Sequence, residues 1–91
     1  MPRYLVHRTF PQPLAIPTDA RGAEACSTVV HHNAARGVTW LHSYVSADRG
    51  TTFCIYDGPD PEAIREVACT NGLPVDSVTP VSVLDPYFYR A

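Results

Sequence analysis

The chain switches between two hydrophobic periods, and the order of the switches predicts its architecture. Pro2–Phe10 (PRYLVHRTF) is rich in β-branched and aromatic residues and reads as a first strand, ended by Pro11. Pro11, Pro13 and Pro17 then hold an extended connector. From Asp19 or Arg21 to Arg36 the period becomes helical. Ala23, Cys26, Val29, Val30 and Asn33 fall on one stripe, and Gly37 is placed to stop the helix. Val38–Pro59 (VTWLHSYVSADRGTTFCIYDGP) returns to period two and reads as a β-hairpin turning through Ser46–Gly50. A second helix starts with Asp60 as N-cap, Pro61 at the first helical position and Glu62 near the positive end of the dipole. It buries Ile64, Val67 and Ala68 and ends at Asn71-Gly72. Ser77–Leu84 alternates again as a fourth strand, and Asp85-Pro86 closes it before the tail Tyr87-Phe88-Tyr89-Arg90-Ala91.

The order β-α-β-β-α-β predicts an α+β, ferredoxin-like fold in one domain over residues 1–91. An antiparallel four-stranded sheet carries two helices on one face. The other face is left bare, and two chains pairing through it would give a dimeric α/β barrel. A turn in which Ser46 pairs with Thr51 sets Tyr44 opposite Phe53, His42 opposite Ile55 and Trp40 opposite Asp57. Leu5 and His7 join that ring-rich face. Val6, Leu41, Val45, Cys54, Val81 and Val83 form the smaller, aliphatic face expected under the helices.

Composition narrows the class. The chain has 91 residues, 45% of them hydrophobic and 18% charged, with a formal net charge of −2. That charge gives no electrostatic case for nucleic acid or an anionic membrane, and the RNP1 run of an RNA-recognition sheet is missing. No apolar run is long enough to span a bilayer and no signal-peptide core is visible, so a cytoplasmic location is expected. The three cysteines, Cys26, Cys54 and Cys69, are widely spaced without a CxxC pair. They read as small buried hydrophobes rather than as a disulfide framework or a thiolate zinc site.

Several segments together resemble one known family. They are YLVHRTF near the N-terminus, the hairpin above, the helix start DPEAIREVA, then NGLPVDSV and the C-terminal VLDPYFYR. The chain is similar along nearly its whole length to a family of small bacterial ferredoxin-like proteins known as a domain of unknown function. That family includes a dimeric nickel-binding protein with its metal at the dimer surface. The resemblance implies a homodimer and a divalent metal of the nickel type. It carries over no ligand residue by residue. His7 stands where the family pattern has an acidic residue after YLV, and the His31-His32 pair looks particular to this chain.

Two chemistries are open on the residues. The first is metal binding for sequestration or homeostasis, with His31, His32, His7 and His42 as candidate ligands, since imidazole suits nickel, zinc and copper. His31 and His32 are adjacent on a helix and diverge by about 100°, so further ligands must come from elsewhere. The second is a cofactor-free isomerase, cyclase or oxygenase inside the dimeric barrel. There His42 would act as general acid/base, Asp57 would orient it, and Tyr44 would sit alongside, in a pocket of His7, Trp40, Phe53 and Ile55. Tyr87 or Tyr89 would then lid that pocket. A purely structural reading covers each of these groups too: a solvated helix face, a His–Asp bond in an interface, a tail packed on its own core.

Overall fold

The structure, a computed structural model, describes residues 2–13 and 20–86. Pro17, Asp19 and the aromatic tail with Tyr87 and Tyr89 lie outside the described residues. The elements run β1 (Arg3–Thr9), α1 (Ala20–Ala34), β2 (Thr39–Val45), β3 (Thr51–Asp57), α2 (Pro61–Thr70) and β4 (Ser77–Val81). The sheet order is β2-β3-β1-β4, with every neighbouring pair antiparallel. This is the ferredoxin-like α+β arrangement.

Strand alternation creates the two faces. On β1, Tyr4, Val6 and Arg8 are buried, while Arg3, Leu5 and His7 are only half-buried. The register sets Tyr4 against Tyr56, Val6 against Cys54 and Arg8 against Thr52. The apolar members of this set join Ile64 and Val67 of α2, together with Val38 and Ala63, in one core. Val78 of β4, opposite Val6, packs against that core.

α2 forms where local chemistry dictates. The Asp60 side chain accepts from Ala63 N–H at 2.8 Å, and Pro61 follows at the first turn. At the far end Leu73 N–H bonds Ala68 O while Gly72 N–H bonds Cys69 O, with Gly72 at φ +69°. α1 closes in the same way. Val38 N–H bonds Asn33 O, Gly37 N–H bonds Ala34 O, and Gly37 has φ +70°. Both are Schellman stops, in which a left-handed residue turns the chain back onto orphan carbonyls.

The structure corrects the hairpin in one decisive place. Tyr44 opposes Phe53 and His42 opposes Ile55, but Trp40 opposes Tyr56, and Thr39 takes Asp57. The register shifts between Trp40 and His42, leaving Leu41 as an extra residue. One inserted residue reverses parity on one side of the bulge. Trp40 therefore packs against the core with Val38, and only His42 and Tyr44 remain on the ring-rich face. Leu41 is 39% exposed, and Val45, on the strand's last position, is 42% exposed. β4 ends at Val81, which opposes Arg3 on the open face. Val83 lies beyond the strand and is half exposed.

α1 is also rotated from the predicted stripe. Gly22 and Asn33 are its buried residues, with Cys26 and Val29 half-buried between them, and Ala23 and Val30 face outward. The steps of four, three and four fit a helical stripe that Ala23 and Val30 miss by one position each. Of the cysteines only Cys54 is buried; Cys26 is half-buried and Cys69 exposed on α2.

Candidate functional site

The open sheet face is built from alternate residues of β1, β2 and β3. Across its middle run His7, Phe53 and Tyr44, with Leu5, Ile55 and His42 as the next row. The His7 ring stacks on Phe53 at 5.2 Å between centroids and 6° between planes. The His42 ring meets Tyr44 edge-on, also at 5.2 Å. Tyr44 is 63% exposed and Phe53 40% exposed, so the rings are in contact yet uncovered.

The polar groups of this face have separate partners. Asp57 accepts from Arg3 Nε at 2.8 Å and Nη2 at 3.3 Å. That hydrogen-bonded guanidinium holds the Asp57 carboxyl below the usual carboxylate range. The carboxylate predicted to orient His42 is thus engaged by Arg3, and the bulge places Thr39 rather than Trp40 across from it. His7 Nδ1 lies 3.7 Å from Asp76 Oδ2, and that oxygen accepts from Thr9 Oγ1 at 2.5 Å. His7 and His42 stand on strands separated by β3 and two residues out of step, roughly 12 Å apart at sheet spacing. Of the predicted pocket, His7, Phe53 and Ile55 share the face with His42 and Tyr44, whereas Trp40 belongs to the other side.

The second histidine cluster lies at the end of α1. His31 is exposed, and its ring centroid is 6.5 Å from that of His32, tilted by 55°. Asn71, at the end of α2, donates its amide N–H to Asn33 Oδ1 at 3.2 Å. Its carbonyl oxygen consequently faces His32 Nδ1 at 2.6 Å. A proton on Nδ1 completes this chain and leaves Nε2 unprotonated, a tautomer suited to metal ligation. Asn71 was legible in the sequence only as a helix stop; its reach to His32, 39 positions away, belongs to the packing of α1 on α2.

Among the described residues no three His, Cys, Asp or Glu side chains converge as a metal site. One copy of the chain, within those residues, does not fit a complete ligand set. The described helices include none long and apolar enough to cross a membrane.

Comparisons with known proteins agree with this architecture. The crystal structure of SCO4226 from Streptomyces coelicolor A3(2) superposes with a TM-score of 0.72 at 17% sequence identity, covering 91% of this chain and 99% of that one. At that identity the likeness is one of fold. No curated protein matches the chain. The model of the nickel responsive protein family, SCO4226-like, matches residues 4–81. The chain belongs to the SCO4226-like nickel responsive protein family.

Proposed function

We propose that this protein is a homodimer that binds a divalent metal of the nickel type and acts in metal sequestration. Family membership supplies the link to nickel. The observation within the chain that carries the reading is His32, whose Nδ1 is held by Asn71 so that Nε2 is free to ligate. No three donor side chains converge among the described residues, so the remaining ligands must come from elsewhere, the second copy included. The bare ring-rich face, with Tyr44 and Phe53 uncovered, gives the two copies a reason to associate. His31, His7 and His42 are the further candidate ligands.

Calorimetric titration of tag-free protein with nickel tests this reading. Binding at submillimolar metal is expected, with His32→Ala abolishing it. Asn71→Ala should weaken it by about 10–100-fold, the usual effect of removing an outer-shell partner. Absence of heat at submillimolar nickel removes the proposal, as does unchanged affinity in His32→Ala. A polyhistidine tag must be absent.

A further inference from the structure

Asn71 is followed by Gly72, whereas the other asparagine of the chain, Asn33, is followed by Ala34. An asparagine before glycine is prone to intramolecular deamidation, because glycine has no side chain to shield its own nitrogen. Here the approach is open: a Cβ at Gly72 would meet nothing within 4 Å. Gly72 is also exposed, so water has access to the pair. The Gly72 nitrogen, giving up its proton to solvent, attacks Asn71 Cγ. A C–N bond forms, the side-chain nitrogen takes up protons from water and leaves as ammonia, and a succinimide ring remains. Water then opens the ring. Cleavage at Cγ gives aspartate, and cleavage at the backbone carbonyl gives isoaspartate.

The fold holds this reaction back at both reacting atoms. Ring closure needs the Gly72 nitrogen turned toward the Cβ of Asn71. Asn71 has φ −82° and ψ −4°, at which that nitrogen eclipses the Asn71 backbone nitrogen instead. Gly72 N–H donates to Cys69 O at 3.1 Å and Leu73 N–H to Ala68 O at 2.9 Å, so the Asn71 backbone cannot turn without breaking the helix stop. The electrophile is fastened separately. Asn71 Nδ2 donates to Asn33 Oδ1 at 3.2 Å, and Asn71 Oδ1 faces His32 Nδ1 at 2.6 Å. The attacking nitrogen is thus held by α2 and the attacked carbon by α1. Attack requires the last turn of α2 to open and the side chain to leave α1.

We propose that Asn71 is a deamidation site controlled by the contact between α1 and α2. Docked helices preserve the amide, and each local opening exposes it to Gly72. The change is one-way, and it sets a carboxylate where a neutral amide now faces His32. The aspartate product is accepted in place. One carboxylate oxygen keeps the His32 Nδ1–H, and the Asn33 amide turns over to donate its Nδ2 to the other. That Nδ2 is buried and has no hydrogen-bond partner among the described residues. The proposal rests on the helix contact and not on metal binding.

The experiment incubates tag-free, chelator-treated protein in mildly alkaline buffer below its unfolding temperature. Mass spectrometry of digests follows Asn71 and Asn33, with a peptide of residues 66–76 as the unstructured reference. Asn71 should convert in the folded protein at least about 10-fold more slowly than in the peptide, while Asn33 stays intact. Asn33→Leu keeps the volume but removes the Oδ1 acceptor, and it should speed conversion of Asn71 by about 5-fold, the effect of one lost hydrogen bond. If Asn33→Leu does not fold, amide hydrogen exchange in the parent decides. Exchange at Gly72 and Leu73 should be slowed by the same factor as deamidation, within about 10-fold, because one opening controls both. Asn71→Asp should unfold about 4–8 °C above Asn71→Ala, since only the former keeps the link to α1. The proposal is overturned by a peptide-like rate in the folded protein, by no conversion of Asn71 when the peptide has converted and Gly72 has exchanged, by an unchanged rate in Asn33→Leu, or by Asn71→Asp unfolding no higher than Asn71→Ala.

Discussion

Phe53→Asp probes the assignment of the open face to a second copy. A free aromatic side chain presents about 200 Å², so the 40% exposure of Phe53 leaves roughly 80 Å² and the 63% exposure of Tyr44 roughly 130 Å². In a twofold interface each ring counts twice. At about 25 cal/mol per Å², burying both copies of Phe53 contributes roughly 4 kcal/mol, and the two ring types together roughly 10 kcal/mol. Association opposes this with about 4–15 kcal/mol of lost freedom, so the rings decide whether a dimer forms. The substitution removes the Phe53 share and sets two carboxylates facing each other. The dimer dissociation constant should rise by about 10³-fold or more. Sedimentation equilibrium reads this as a fall from twice the 10.0 kDa chain mass to the chain mass. Circular dichroism should confirm that the protomer keeps its fold. Arg65→Ser, on an exposed position of α2, should leave the mass unchanged. A parent protein sedimenting as single chains at about 100 µM, or a Phe53→Asp protein that remains dimeric, would refute the reasoning.

Other outcomes follow from the core, the caps and the charges. Ile64 is fully buried against Gly58 and Val38, so Ile64→Ala should lower unfolding free energy by about 3 kcal/mol in urea titrations. A loss under about 1 kcal/mol would mean that the site collapses or is not core. Asp60→Ala removes the acceptor for Ala63 N–H and should cost about 1 kcal/mol, seen as a drop of about 4–8 °C in Tm. The Arg3–Asp57 pair depresses the folded-state pKa of Asp57 below its ordinary 3.8. Its contribution is therefore present above that value and is lost as pH falls through the lower folded value. Both groups are open to solvent, so the gap between parent and Asp57→Asn should be small, should close in strong acid, and should shrink in high salt. A gap that widens on acidification would contradict the pairing.

Much of the fold was legible because its signals are local. Asp60, Pro61 and Gly72 each announce α2 within one turn, and all three do in the structure what their chemistry suggests. The hairpin register was legible from its turn outward, where Ser46 and Thr51 fix Tyr44 against Phe53. It failed at Leu41, because a bulge carries no signal in a run of alternating bulky residues, and a single extra position sends Trp40 to the opposite face. The α1 stripe failed differently. Ala23 and Val30 are apolar but adjacent to the true stripe, and a helix that packs loosely leaves both choices similar in apolar content. The site was less legible still. The His32–Asn71–Asn33 chain joins two helices across the fold, and no spacing rule anticipates it. The burial of Arg8 did carry a signal: an arginine in phase with Tyr4 and Val6 is a charge on a core face, visible once the strand was assigned.

The proposed metal site draws on both copies, because the donors among the described residues of one copy do not converge. Native mass spectrometry of tag-free protein with added nickel tests it most directly. Nickel should be carried by the paired chains and be missing from any single-chain ion. Nickel on the single chain, or paired chains that take up none, would contradict it.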